Sequence, residues 1–190
     1  MRYKVLDNFL SDAEFIELTN NILSNFNANS PKPDFNWVYS NQTLSSSSEP
    51  NHLKKVTDIE PLNLMHDWYF AHLLSFSSTY IPHPPFLNVF LNKISPLAVY
   101  RIQANFTVQQ EKRMRSLFHI DRSLAPSMVT SIFYMNTTNG PTILEDGTEI
   151  DCRANRLATF PYDTYHSGVM CTDQPYRIVI NLNYFIDRNI

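Results

Sequence analysis

Apolar positions change period along the chain, from helix-like spacing in the first part to short alternating runs in the second half. Residues 3–9 read as a short strand. Ser11-Asp12-Ala13-Glu14 then makes a capping box, a Ser N-cap with Glu three residues on. Phe15, Leu18, Ile22 and Leu23 follow at helical spacing, which predicts a helix over roughly 12–25. Residues 27–52 are rich in Asn, Ser and Pro. They read as a long loop with one short strand near 36–40 and a mobile tip at 45–48. Across 61–80, Leu62, Met65, Trp68, Tyr69, His72, Leu73 and Phe76 suggest an amphipathic helix opened by Pro61, stopped by 81–85, with Trp68, Tyr69 and Phe76 as core.

From residue 86 the runs become β-like: 97–106, 116–121, 128–136, 141–145, 148–151, 156–160, 166–170 and 176–186. Asn139-Gly140 and Asp146-Gly147 are hairpin signals. Several short strands in the second half predict a small barrel or jelly roll, with the N-terminal helices over the outer face of one sheet. The expected organisation is one domain over 1–190, with a helical and loop part at 1–85 and a β core at 86–190.

Composition narrows the function classes. A hydrophobic content of 43% over 190 residues supports a substantial core. Charged residues are only 17% and the net charge is -3, so nothing indicates a nucleic-acid partner or an anionic membrane surface. No apolar run approaches the roughly 20 residues needed to span a bilayer. The opening Met1-Arg2-Tyr3-Lys4-Val5 lacks the apolar core of a signal peptide, so the expected location is cytoplasmic. Cys152 and Cys171 then read as free thiols.

The candidate chemistry lies in one ordered string: His119-Ile120-Asp121, then His166, then Arg177. Residues i and i+2 of a strand share a face, so His119 and Asp121 would point the same way. The remaining histidines, His52, His66, His72 and His83, fall in the loop and helix region, leaving His166 as the third candidate ligand. Two His and one carboxylate suit a mononuclear non-haem Fe(II) site with open positions. Arg177 shares a face with Val179, Asn181 and Asn183, while Ile178, Ile180 and Leu182 share the other. The apolar face is expected to pack under the helices, which leaves Arg177 inside, where its planar fork can grip a carboxylate. Each residue also has a plain reading: buried or surface histidines, a turn aspartate, a surface arginine. Lys112, Arg113, Arg115 and Arg122 flank the HxD and read first as a solvated loop, second as a greeting for an anionic substrate. Trp37 and Tyr39 read as a satellite hydrophobic cluster under the long loop, or as part of a substrate mouth.

This order resembles the Fe(II)/2-oxoglutarate-dependent dioxygenases, particularly the prolyl-4-hydroxylase-like branch and its phage-type members, over about residues 95–186. Thr130-Ser131-Ile132-Phe133-Tyr134-Met135-Asn136 is similar to that branch's strand ending in Tyr-Leu-Asn. Gly140-Pro141-Thr142 stands where the branch usually has Gly-Gly-x-Thr, and the run from Arg177 to Phe185 resembles its final strand. The resemblance implies a mainly β, double-stranded β-helix (jelly-roll, cupin-like) fold. It implies Fe(II) held by His119, Asp121 and His166, with 2-oxoglutarate and O2 as co-substrates and ascorbate as an accessory reductant. Arg177 and Tyr134 would hold the distal carboxylate of 2-oxoglutarate, Thr130 would line the same pocket, and Asn105 would contact the other end of the co-substrate. The family splits 2-oxoglutarate to succinate and CO2, and an intact Asp121 favours hydroxylation over halogenation. The expected substrate is a peptidyl residue. The alternatives are a nucleobase or small metabolite, or a non-catalytic jelly-roll module that binds a ligand.

Overall fold

The structure is a computed structural model that describes residues 3–23, 37–41, 49–62, 68–76, 83–121 and 127–187. In chain order its elements are β1 (Lys4–Leu6), α1 (Asp12–Leu23), β2 (Val38–Asn41), β3 (Trp68–Phe76), α2 (Asn88–Ile94), β4 (Ala98–Val108), β5 (Met128–Tyr134), β6 (Thr138–Leu144), β7 (Glu149–Cys152), β8 (Arg156–Pro161), β9 (His166–Gly168) and β10 (Tyr176–Phe185). The strands form a seven-stranded sheet, ordered β1-β8-β5-β10-β4-β3-β2, and a three-stranded sheet, ordered β7-β6-β9. All strand neighbours are antiparallel. This is the mainly β jelly roll that the strand pattern predicts.

The capping box forms as read. The Ser11 N–H donates to Glu14 Oε2 at 2.7 Å, and the Glu14 N–H donates to Ser11 Oγ at 3.4 Å. Helix α1 buries Leu18 and Ile22 against the outer face of the large sheet, together with Phe90 of α2 and with Ile178, Ile180 and Leu182 of β10. Each such side chain contributes roughly 1.5–3 kcal/mol when removed from water. A second apolar cluster fills the space between the sheets, with Ile132, Tyr134, Phe160 and Val179 from the large sheet and Leu144, Ile150 and Cys152 from the small one. Both cysteines are free thiols. Among the described residues no helix is long and apolar enough to cross a membrane.

Five expectations are corrected. The amphipathic helix expected over 61–80 is strand β3, paired to β4 with Phe70 opposite Phe106 and Phe76 opposite Arg101. A bulge between Leu73 and Ser75 breaks the two-residue alternation there, so the apolar spacing imitates a helix. Tyr69 and Phe76 are half-buried rather than core, and the Trp68 side chain lies outside what is described. The second covering helix is instead α2, where no element was expected. Asn139-Gly140 is not a hairpin turn but lies inside β6, whereas Asp146-Gly147 does turn the chain, with Gly147 at φ 84°. Residues 116–121 form no ladder strand; they are extended and touch the small sheet through isolated bridges, Arg115 to Val169 and His119 to His166. Trp37 is half-buried and packs against the main core, its ring centroid 5.5 Å from that of Phe106, while Tyr39 is exposed. The 45–48 tip lies outside the described residues.

Candidate metal and co-substrate site

His119, Asp121 and His166 come together at one end of the space between the sheets. His119 and His166 exchange main-chain bonds, each N–H donating to the other's carbonyl, at 3.0 and 2.9 Å. Their Nδ1 atoms lie 2.9 Å from the Leu117 carbonyl and 3.1 Å from the Thr164 carbonyl. A carbonyl only accepts, so each Nδ1 carries the proton and each Nε2 keeps its lone pair. Those two Nε2 atoms lie 3.7 and 3.8 Å from Asp121 Oδ1. One ligand atom from each of the three residues lies within 4.8 Å of the others.

The electrostatics suit a cation. His166 Nε2 is buried with no hydrogen-bond partner, an uncommon state for a polar atom unless a ligand completes it. Burial first, and the neighbouring His119 second, push His166 down to about 4, so it is neutral and ready to donate its lone pair at neutral pH. Burial opposes ionisation of Asp121, but the two histidines, Arg101 and a bond from Asn183 together hold its carboxyl below the usual value. Asn183 Nδ2 donates to Asp121 Oδ2 at 3.0 Å and to Thr130 Oγ1 at 3.0 Å. That bond occupies Oδ2 and leaves Oδ1 facing the histidines. Two imidazole Nε2 atoms and a carboxylate oxygen, each side chain oriented by a hydrogen bond of its own, fit a divalent first-row metal.

The segment carrying the HxD is held by an ion pair rather than by a ladder. Arg115 Nη1 donates to Glu49 Oε1 at 2.6 Å, and both side chains are buried. The same carboxylate oxygen accepts the Phe118 N–H at 2.9 Å, directly before His119. Arg115 Nε donates to the Ile59 carbonyl, and its guanidinium lies over the Phe118 ring at 4.8 Å. Arg115 is therefore a strut and not a greeting for an anion. Lys112 pairs with Glu60 and Arg113 with Glu149 at the surface, and Arg122 lies outside the described residues.

Arg177 sits on the inner face at the start of β10. Its Nε donates to the Gly140 carbonyl at 2.8 Å and its Nη2 to Thr142 Oγ1 at 3.2 Å. Tyr134 Oη donates to the same Thr142 Oγ1 at 2.8 Å, and burial keeps the phenol protonated, raised to about 12. Gly140 makes this approach possible: a Cβ there would lie 2.4 Å from the Val169 carbonyl oxygen and 3.2 Å from Arg177 Cδ. Arg177, Tyr134 and Thr142 thus form one buried cationic corner with no carboxylate of its own among the described residues.

Between the two ends runs a polar row. β10 places Val179, Asn181 and Asn183 after Arg177, opposite Asn105, Gln103 and Arg101 of β4. Asn105 does not stand alone but accepts from Gln103 Nε2 at 2.6 Å. Thr130 shares the inner face with Tyr134, yet its Asn183 bond puts it at the metal end rather than beside Arg177. Sequence reasoning named neither Asn183, Thr142, Gln103 nor Arg101 as site residues. Strand alternation from Arg177 was the signal available for Asn183; Arg101 and Gln103 needed the register of β4 against β10.

No protein-family model matches the sequence, and no curated protein matches it. Solved structures do. A prolyl hydroxylase from Trichoplax adhaerens, in complex with a hypoxia inducible factor peptide fragment, is similar with a TM-score of 0.61 at 17% identity, covering 96% of this chain and 83% of that one. A prolyl-4-hydroxylase from Pseudomonas putida gives 0.59 at 10% identity, covering 98% and 93%. The non-heme alpha ketoglutarate dependent epimerase of nogalamycin biosynthesis gives 0.59 at 12% identity, covering 96% and 77%. This chain therefore has the double-stranded β-helix fold of the Fe(II)/2-oxoglutarate oxygenases, in the form found in the prolyl hydroxylases.

Proposed function

We propose that this protein is an Fe(II)- and 2-oxoglutarate-dependent dioxygenase that hydroxylates a peptidyl residue. The observation that carries the reading is the convergence of two Nε2 atoms and Asp121 Oδ1, with a guanidinium that faces no carboxylate among the described residues at the other end of the same inner face. His119, Asp121 and His166 would hold the metal, which with 2-oxoglutarate and O2 supplies the oxidising chemistry. Arg177 would bind the distal carboxylate of 2-oxoglutarate through its fork, with the Tyr134 hydroxyl alongside. The Asn183 bond orients Asp121, and the Nδ1–H bonds orient both imidazoles. The apolar cluster around Ile132, Phe160 and Val179 keeps water from the buried side of the site.

A peptidyl substrate is favoured because prolyl hydroxylases are among the similar structures, one of them solved with a peptide. We assign the activity to the cytoplasm, where both thiols stay reduced. The test is an anaerobic titration of the protein with Fe(II) and 2-oxoglutarate. The expected result is a metal–keto-acid charge-transfer band that disappears in His119→Ala while the variant stays folded. A folded wild-type protein that shows no band at saturating metal overturns the reading in favour of a non-catalytic binding module.

A further inference from the structure

The arginines divide into two kinds. Among the described residues, Arg113, Arg115, Arg153 and Arg156 each face a carboxylate. Arg101 and Arg177 make no such ion pair among the described residues, and both lie on the inner face of the large sheet. Arg177 stands at the start of β10, and Arg101 opposes Asn183, six positions along the same strand. At the strand rise this separates their backbones by about 20 Å. The Arg177 end is already assigned to the distal carboxylate of the co-substrate, and this inference rests on that assignment.

Arg101 is held ready rather than neutralised. Its Nε and Nη2 both donate to Gln103 Oε1, at 3.2 and 2.6 Å, and Gln103 Nε2 donates on to Asn105 Oδ1 at 2.6 Å. A guanidinium has five N–H donors in a rigid fork. Gln103 takes the Nε–H and one Nη2–H, which leaves the Nη1/Nη2 edge free, the edge that matches a carboxylate with two parallel bonds. Arg101 lowers the Asp121 carboxyl through space but makes no ion pair with it: the described ion-pair contacts of that carboxylate are with His119 and His166, and its other oxygen is held by Asn183. Arg101 is half-buried, so its free edge meets a carboxylate with little competition from water. Beside it, Asn181 Oδ1 is buried with no partner, an acceptor set opposite Gln103 and open to a donor on the same ligand.

We propose that Arg101, positioned by Gln103 and flanked by Asn181, is a second carboxylate subsite that takes an acidic group of the primary substrate. The substrate is then an acidic peptide, with a side-chain or C-terminal carboxylate close to the carbon that reacts. A carboxylate at this place has one other source, the metal-proximal end of 2-oxoglutarate itself.

The experiment uses the full chain labelled with 15N-arginine and loaded with redox-inert Zn(II). The Arg101 and Arg177 side-chain signals are assigned by their loss in Arg101→Lys and Arg177→Lys. With 2-oxoglutarate saturating, acetate is titrated in. The expected result is a saturable shift of the Arg101 signal with the Arg177 signal unmoved, and an acetate affinity at least about tenfold weaker in Gln103→Leu, where the fork loses its support. An Arg101 signal that never responds to acetate, with or without 2-oxoglutarate, overturns the subsite. A signal that shifts with 2-oxoglutarate alone and then ignores acetate overturns the substrate assignment and gives Arg101 to the co-substrate. An Arg177 signal that ignores 2-oxoglutarate would instead sink the co-substrate reading, whatever Arg101 does.

Discussion

The two ends of the candidate site are built on opposite principles. The Arg177 end lies in regular ladder strands, and its polar atoms already bond one another: Arg177 to Gly140 and Thr142, and Tyr134 to Thr142. The other end takes His119 and Asp121 from an extended segment touched only by isolated bridges and His166 from β9, and it leaves the His166 Nε2 atom buried without a partner. One end is complete as folded and needs only to accept a guest. The other leaves a buried lone pair unused, and the segment carrying His119 is held by a buried ion pair from a distant part of the chain. The arginine corner is built by sheet register alone. The three-residue face needs an irregular segment, because His119 bridges to the small sheet while Asp121 meets Asn183 of the large one.

The comparison is broken most severely at the strut. Glu49→Ala would leave Arg115 buried and unpaired and should cost about 3–5 kcal/mol. Urea denaturation should show that loss, whereas Glu60→Ala, which breaks the exposed Lys112 pair, should stay within about 0.5 kcal/mol. Equal midpoints for the two variants would mean that the ladder strands, and not the ion pair, hold the HxD segment.

The next effect is metal-dependent. Zn(II) at about 100 times its dissociation constant should stabilise the fold by about 2.7 kcal/mol. For a chain of this size the melting temperature should rise by about 5–10 °C. A chelator should reverse the rise, and His166→Ala should abolish it. An unchanged melting curve for the wild type would contradict the incomplete character of that end.

The smallest effect is expected at the complete end. Tyr134→Phe removes one buried hydroxyl while Thr142 keeps its Arg177 bond, so stability should fall by only about 1 kcal/mol. Affinity for 2-oxoglutarate, followed by calorimetry, should fall by a similar about 1 kcal/mol if the phenol shares the carboxylate. A large stability loss with unchanged affinity would make Tyr134 a packing residue.

Much of this architecture was legible in the residues. Ser11 and Glu14 announced α1 because a capping box is local chemistry, closed within one turn. The alternation in β10 announced both its faces, since Ile178, Ile180 and Leu182 do pack under the helices. The 61–80 region misled because a bulge in β3 breaks the two-residue period and because its pairing partner, β4, is remote in sequence. Asn139-Gly140 misled because its glycine serves a close approach to Val169 and Arg177 rather than a turn.

By itself, the sequence determined the chemistry on offer: two histidines and a carboxylate in order, an arginine in a strand with one apolar face, and the local periods that make α1 and the strands from β4 onward. Local periods and capping need only near neighbours, so they can be read along the chain. Tertiary structure alone decided which of these groups meet. The Glu49–Arg115 strut, the Asn183 bond to Asp121 and the free fork of Arg101 opposite Asn183 all join residues far apart in sequence. Such contacts depend on sheet register and on the low-dielectric interior, where a buried charge must find its partner or wait for a ligand.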